Sequence, residues 1–85
     1  MHKFQTIRKN SYGSDVLVLQ SMLRALQYVG QDGKPIEIDG DCGSNTVFAI
    51  NAFQRTQIAY GVDVGTNGKP DGVFGAKCWT RLLGV

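Results

Sequence analysis

Eighty-five residues, 42% hydrophobic and 19% charged, make a single globular domain of a size that can just bury one core. A net charge of +2 with no basic stripe excludes the electrostatic field on which nucleic-acid binding depends, and no apolar run approaches the length of a membrane span. Two cysteines, Cys42 and Cys78, are too few for a disulfide framework or a zinc site.

Residues 1–6 carry no motif and read as a lead-in or linker, with Phe4 packing back on the body and no apolar run of the signal-peptide kind. The chain is therefore expected either to be made without a signal or to be excised from a longer one. Turn formers precede Ser14, a favoured N-cap, and Asp15 suits the positive end of a helix dipole. A first helix is predicted over about residues 15–28, with Val16, Leu19, Leu23 and Leu26 on one face and Gly30 ending it.

The loop that follows contains Asp32-Gly33 and Lys34-Pro35, then an Ile36-Glu37-Ile38 alternation expected to pair as a stub of strand. It delivers the chain to Asp39-Gly40-Asp41-Cys42-Gly43. Ser44 is expected to cap a second helix over about residues 45–60, where Val47, Ile50, Phe53 and Gln57 form a stripe and Phe48, Ala49 and Ala52 widen the apolar sector. A second glycine-rich loop leads to Asp71-Gly72-Val73-Phe74-Gly75 and a last helix over about residues 76–83, with Trp79, Leu82 and Leu83 facing the core and Gly84 closing it.

The two D-G-x-x-G stretches are echoes of each other. Asp32-Gly33-Lys34-Pro35 is answered by Asn67-Gly68-Lys69-Pro70, and Val16-x-x-Leu19-Gln20 by Ile50-x-x-Phe53-Gln54. The offset runs from about 32 residues (Asp39 to Asp71) to about 35 (Asp32 to Asn67), the mark of a duplication with small loop insertions rather than of a solenoid. The expected architecture is all-α: three helices with an internal pseudo-two-fold repeat and two D-G-x-x-G turns. Both glycines of each motif are expected at positive φ, and each aspartate is expected to accept backbone N–H bonds. Asp39, Gly40, Gly43, Asp71, Gly72 and Gly75 are thus read as turn residues, in preference to reading Asp39 and Asp71 as an acid–base pair. Gln20 and Gln54, at matching positions beside apolar residues, are expected to bond loop backbone across the domain.

In this setting Ile7-Arg8-x-x-Ser11-x-Gly13-x-Asp15-Val16-x-x-Leu19-Gln20-x-x-Leu23, Asp39-Gly40-x-x-Gly43-x-x-Thr46, Ala49-x-x-x-Phe53-Gln54 and Asp71-Gly72-x-Phe74-Gly75-x-x-x-Trp79-x-x-Leu82 resemble the peptidoglycan-binding-like domain. That small helical module is appended to many bacterial and phage cell-wall hydrolases. The resemblance covers about residues 7–83. It implies a compact three-helix bundle over 7–85, with peptidoglycan as partner, a covalently attached catalytic domain, action at the cell wall, a monomeric state, and no cofactor, nucleic acid or membrane. Three positions depart from the family pattern: Asn10 replaces a glycine, Cys42 a phenylalanine and Cys78 a threonine. Asparagine tolerates the left-handed region, whereas Cys42 removes an apolar plug that a neighbour must replace or leave loose. Both thiols are expected to be buried, and the spacing alone leaves a bridge between them open.

Candidate ligand contacts are side chains the core does not require: Tyr28 and Tyr60 at the ends of the first two helices, with Arg55 and Gln57 beside them. Arg55 also has a purely structural explanation in the helix dipole. Trp79 is expected in the core rather than stacked on a sugar. The single histidine, His2, lies in the lead-in, so no serine or cysteine has a base within the folded body. The Asp63-x-x-x-Asn67-Gly68 run lacks a calcium loop's ligands, with Gly65 third and Phe74 twelfth. The function expected is non-catalytic peptidoglycan binding that targets a hydrolase. The alternative is a packing or protein-interaction domain that braces a neighbouring catalytic domain.

Overall fold

Three helices, α1 (Ser14–Ala25), α2 (Ser44–Ala59) and α3 (Ala76–Leu83), alternate with long loops, and the described residues contain no extended strand, only isolated β-bridges. The computed structural model describes residues 3–84, so His2 lies outside the described residues. The radius of gyration, 11.6 Å, matches the roughly 12 Å of a compact chain of this length. Five of the thirteen buried apolar residues, Ile7, Ile36, Cys42, Val64 and Phe74, come from loops. The loops are therefore part of the core rather than a covering on it.

The apolar stripes predict the buried faces well, with two exceptions. Val16, Leu19 and Leu23 on α1, and Ala49, Ile50 and Phe53 on α2, are buried, but Leu26 is 52% and Phe48 42% exposed. Leu26 falls outside because α1 ends at Ala25, before the predicted 28 and before Gly30. The N–H of Gln27 donates to the Arg24 carbonyl and that of Tyr28 to the Leu23 carbonyl, each at 2.9 Å, the two bonds of a Schellman ending. The same pair closes α2, with Gly61 donating to Ile58 and Val62 to Gln57.

The left-handed residue of that ending is Gly61 (φ 81°) after α2 but Gln27 (φ 68°) after α1. A side chain there carries the Cβ penalty that glycine avoids. Gln27 is exposed, so Gln27→Gly should stabilise the domain by about 1 kcal/mol and raise the thermal midpoint by about 4–8 °C. A midpoint that fell would show that the side chain holds something the geometry does not reveal.

The helix starts differ from the expectation. Ser14 and Ser44 are the first helical residues, not caps; Gly13 and Gly43 hold the N-cap positions, and neither helix has a side-chain cap bond. The chain enters each helix directly from a residue engaged in loop pairing, Gly13 N–H on the Gly40 carbonyl and Gly43 N–H on that of Asp41. The serines consequently sit one position too late to reach back. Nor do residues 36–38 pair as a strand. Ile36 is buried and Ile38 44% exposed, the chain bends after them, at residues 39 and 40, and the bridge in this loop joins Val29 and Pro35.

In the second loop Thr66 and Lys69 exchange both backbone bonds, at 2.9 and 3.0 Å, around Asn67 (φ 53°) and Gly68 (φ 76°). Positive φ at both central positions is what a two-residue type I′ hairpin needs, and Asn-Gly supplies it. Asn10 takes φ 76°, so the asparagine standing in for glycine does adopt the left-handed conformation. Near the other end of the sequence, Ile7 and Phe74 exchange backbone bonds at 3.0 and 2.7 Å. Phe4 stacks on Trp79 with centroids 4.2 Å apart, and the Trp79 indole N–H donates to the Gln5 carbonyl at 2.9 Å. Trp79 is buried in the core, with its ring edge-on to Phe74 at 4.9 Å.

Candidate functional site

Each D-G turn is held by a glutamine from the helix before it. Gln20, fully buried on α1, accepts the N–H groups of Asp39 and Gly40 on Oε1 at 3.1 and 2.9 Å. Its Nε2 lies within bonding distance of Asp39 Oδ1, the Asp41 carbonyl and Thr46 Oγ1, at 3.1, 2.9 and 3.0 Å. Gln54 on α2 repeats the arrangement: Oε1 accepts from Asp71 and Gly72 at 3.0 and 3.1 Å, and Nε2 reaches Asp71 Oδ1 and the Val73 carbonyl, both at 2.9 Å. Cys78 Sγ, 3.6 Å away, takes the place of Thr46 Oγ1. A single buried amide thus satisfies backbone groups that a tight turn would otherwise leave unpaired.

Within each turn the aspartate closes an Asx bond, Asp41 N–H to Asp39 Oδ1 at 3.0 Å and Val73 N–H to Asp71 Oδ1 at 2.9 Å. Gly40 (φ 78°) and Gly72 (φ 70°) take the left-handed conformation the turn requires. Gly43 and Gly75 do not; both are extended N-caps, with φ −91° and −97°. Only the first glycine of each motif is needed for its backbone freedom, because the second already belongs to the helix entry.

These bonds set the charge state of the carboxylates. The Asp41 N–H, then the Gln20 amide, hold Asp39 below the ordinary carboxylate range. At Asp71 burial pushes upward, but the Val73 N–H, the Thr66 hydroxyl (2.7 Å) and the Gln54 amide outweigh it and the net shift is downward. A depressed carboxylate contributes stability that is present above its unfolded value, about 3.9, and is lost as pH falls through the lower folded value. Thermal melts should therefore hold steady from pH 7 to about 5 and drop below about pH 4. Asp71→Asn should flatten that acid limb; an unchanged limb would remove Asp71 from the account.

The same environment makes the thiols inert. Cys42 and Cys78 are free and buried, and burial raises Cys42 to about 11 and is the largest influence raising Cys78. Neither is a nucleophile near neutral pH. Cys42 is 1% exposed, so neighbours have closed over the position where the second turn carries Phe74, and the first half is not open there. Asp63, in the run that falls short of a calcium loop, instead pairs with Lys77 at 2.8 Å on the exposed surface, and no cluster of metal-ligating side chains occurs among the described residues.

The structure brings three of the four candidate contact residues together. Tyr28, Arg55 and Tyr60 line an open groove of about 500 Å³ whose remaining walls are Ala52, Thr56 and Ala59. Residues 52, 55, 56 and 59 fall at i, i+3, i+4 and i+7 on one face of α2, and the small alanines lower its floor. Tyr28, set by the Schellman ending of α1, is half-buried and edge-on to Phe53 at 6.0 Å; Tyr60, the C-cap of α2, is 76% exposed. Arg55 is exposed, and its side chain makes no hydrogen bond or ion pair among the described residues. Gln57 is not in the lining: its Oε1 accepts from Arg81 Nε of α3 at 3.1 Å. Ala52, Thr56 and Ala59 were not expected at the site, although their helical spacing around Arg55 was visible in the sequence.

The family model described as "Putative peptidoglycan binding domain" matches residues 12–57. This is just over half of the chain, from the bridge at Tyr12 through α1 and the first D-G turn into the last turns of α2. The chain belongs to that family. Comparison with curated proteins and with solved structures gave no match. The matched segment of this peptidoglycan-binding-domain member contains Gln20 and its clamped turn, together with four of the six groove residues; Ala59 and Tyr60 lie just beyond it.

Proposed function

We propose that residues 7–85 form a non-catalytic module that binds cell-wall peptidoglycan through the Tyr28–Arg55–Tyr60 groove and holds an attached or associated cell-wall hydrolase on its substrate. The observation that carries this reading is the groove itself: two tyrosines and an arginine with no side-chain partner among the described residues, around a small-residue floor, in a chain of the peptidoglycan-binding family. Tyrosine rings present an apolar face with a polar tip, suited to a wet polymer surface. The clamped turns and the Gln57–Arg81 bond hold the supporting elements, so the floor of the groove is a fixed helix face, flanked by Tyr28 from the loop after α1 and Tyr60 at the C-cap of α2. Affinity per domain is modest, and many attachments to an insoluble polymer raise the local concentration of whatever enzyme is carried.

The test is co-sedimentation with purified sacculi, with chitin and cellulose as controls. Retention on sacculi alone is expected, and Tyr60→Ala, at an exposed position, should weaken it about tenfold without altering the circular dichroism. Equal retention on all three polymers, or none on sacculi, would sink the reading; binding to a partner hydrolase without binding to wall would replace it with a bracing role.

A further inference from the structure

The groove is chemically narrower than its polymer. Peptidoglycan offers a neutral glycan dense in hydroxyl and acetamido groups, and short peptide stems that carry alanyl methyls and free carboxylates. Against a hydroxyl array the lining sets the phenolic hydroxyls of Tyr28 and Tyr60 and, beside Arg55, little else. The Thr56 hydroxyl already donates to the Ala52 carbonyl at 3.1 Å, and Ala52 and Ala59 present only methyls. The one full charge is Arg55, with no acidic residue in the lining and no partner among the described residues. A guanidinium fork matches a carboxylate with two parallel bonds, whereas a neutral sugar leaves the charge uncompensated.

Resting on the peptidoglycan-binding reading above, we propose that the groove takes the carboxylate end of a peptide stem. Arg55 forks onto the carboxylate, and an alanine-sized side chain rests on Ala52 and Ala59 between the rings of Tyr28 and Tyr60.

Two comparisons separate this from glycan recognition. The first is competition, against co-sedimentation with intact sacculi, by free stem peptides and by chito-oligosaccharides, a neutral acetamido glycan without stems. The second is competition by a synthetic stem peptide, Ala-D-isoglutaminyl-Lys-D-Ala-D-Ala, whose single carboxylate is terminal, as the free acid or as its terminal amide. The stem peptide should compete at least about tenfold better than the chito-oligosaccharide, and its free acid about tenfold better than its amide. Arg55→Gln should lose about tenfold on intact sacculi, and Ala59→Leu, which fills the floor and leaves the charge in place, should lose a similar factor with the helix content kept. Equal competition by stem peptide and chito-oligosaccharide overturns the stem assignment while leaving wall binding standing. Equal competition by acid and amide overturns the Arg55–carboxylate contact. Absence of binding to intact sacculi overturns both proposals together.

Discussion

Gln54→Leu is expected to lower the thermal midpoint by roughly 15 °C or more, although leucine is of similar volume and sits well in a helix. The substitution strands the N–H groups of Asp71 and Gly72 and the carbonyl of Val73, and it removes a donor from the Asp71 carboxylate. Each buried polar group left without a partner costs about 1–3 kcal/mol, so the sum is about 3–5 kcal/mol. A domain of this length has roughly 4–13 kcal/mol in all. Gln20→Leu should cost a similar amount, because its amide reaches the corresponding atoms of the first turn. Gln57→Leu is the control: its amide bonds Arg81 on the surface and should cost less than about 1 kcal/mol. Equal losses at 54 and 57 would mean that the turns hold themselves without the clamp.

Phe74→Ala should cost about 3–5 kcal/mol in urea unfolding, and Cys42→Ala, at the matching place in the other motif, only about 1 kcal/mol. Phe74 is fully buried, with its ring 5.5 Å from that of Phe53 and 4.9 Å from that of Trp79, so truncation opens a void among rings that cannot collapse. At Cys42 the neighbours already close over a small side chain, and only one sulfur is lost. For the same reason Cys42→Phe, which puts in the first motif the residue the second carries at Phe74, should destabilise by about 1–3 kcal/mol through overpacking. Comparable losses from the two alanine variants would show that the halves share their load equally after all.

What could be read from the residues, and what could not, divides along physical lines. Helical periodicity gave the buried faces of α1 and α2, and the paired glutamines beside apolar neighbours announced that a buried amide had to find loop partners. The left-handed Asn10 followed from the conformational tolerance of asparagine. Helix ends were less legible. Whether Ser14 and Ser44 cap or merely begin a helix depends on where Gly13 and Gly43 are spent, and that is decided by a bond from Gly13 to Gly40 across a loop and by one from Gly43 to Asp41 within the turn itself. The early stop of α1 was hidden because Gln27 is a poor sequence marker for a left-handed position. Of the groove, Tyr28, Arg55 and Tyr60 stood out as chemically expressive, whereas Ala52 and Ala59 contribute only by being small. The side chain of Gln57 was drawn toward α3 by Arg81, a residue 24 positions along the chain.

The Ile7–Phe74 pairing and the Trp79–Gln5 bond join the earliest described segment to the last helix, a span of 74 residues for the indole contact. A nascent chain therefore cannot complete this core while it is still emerging: α1, its clamped turn and α2 can be released by the ribosome with their apolar faces still lacking Phe74 and Trp79. Closure waits for nearly the entire domain, which makes folding a single late event and gives a protease its opportunity only before that event.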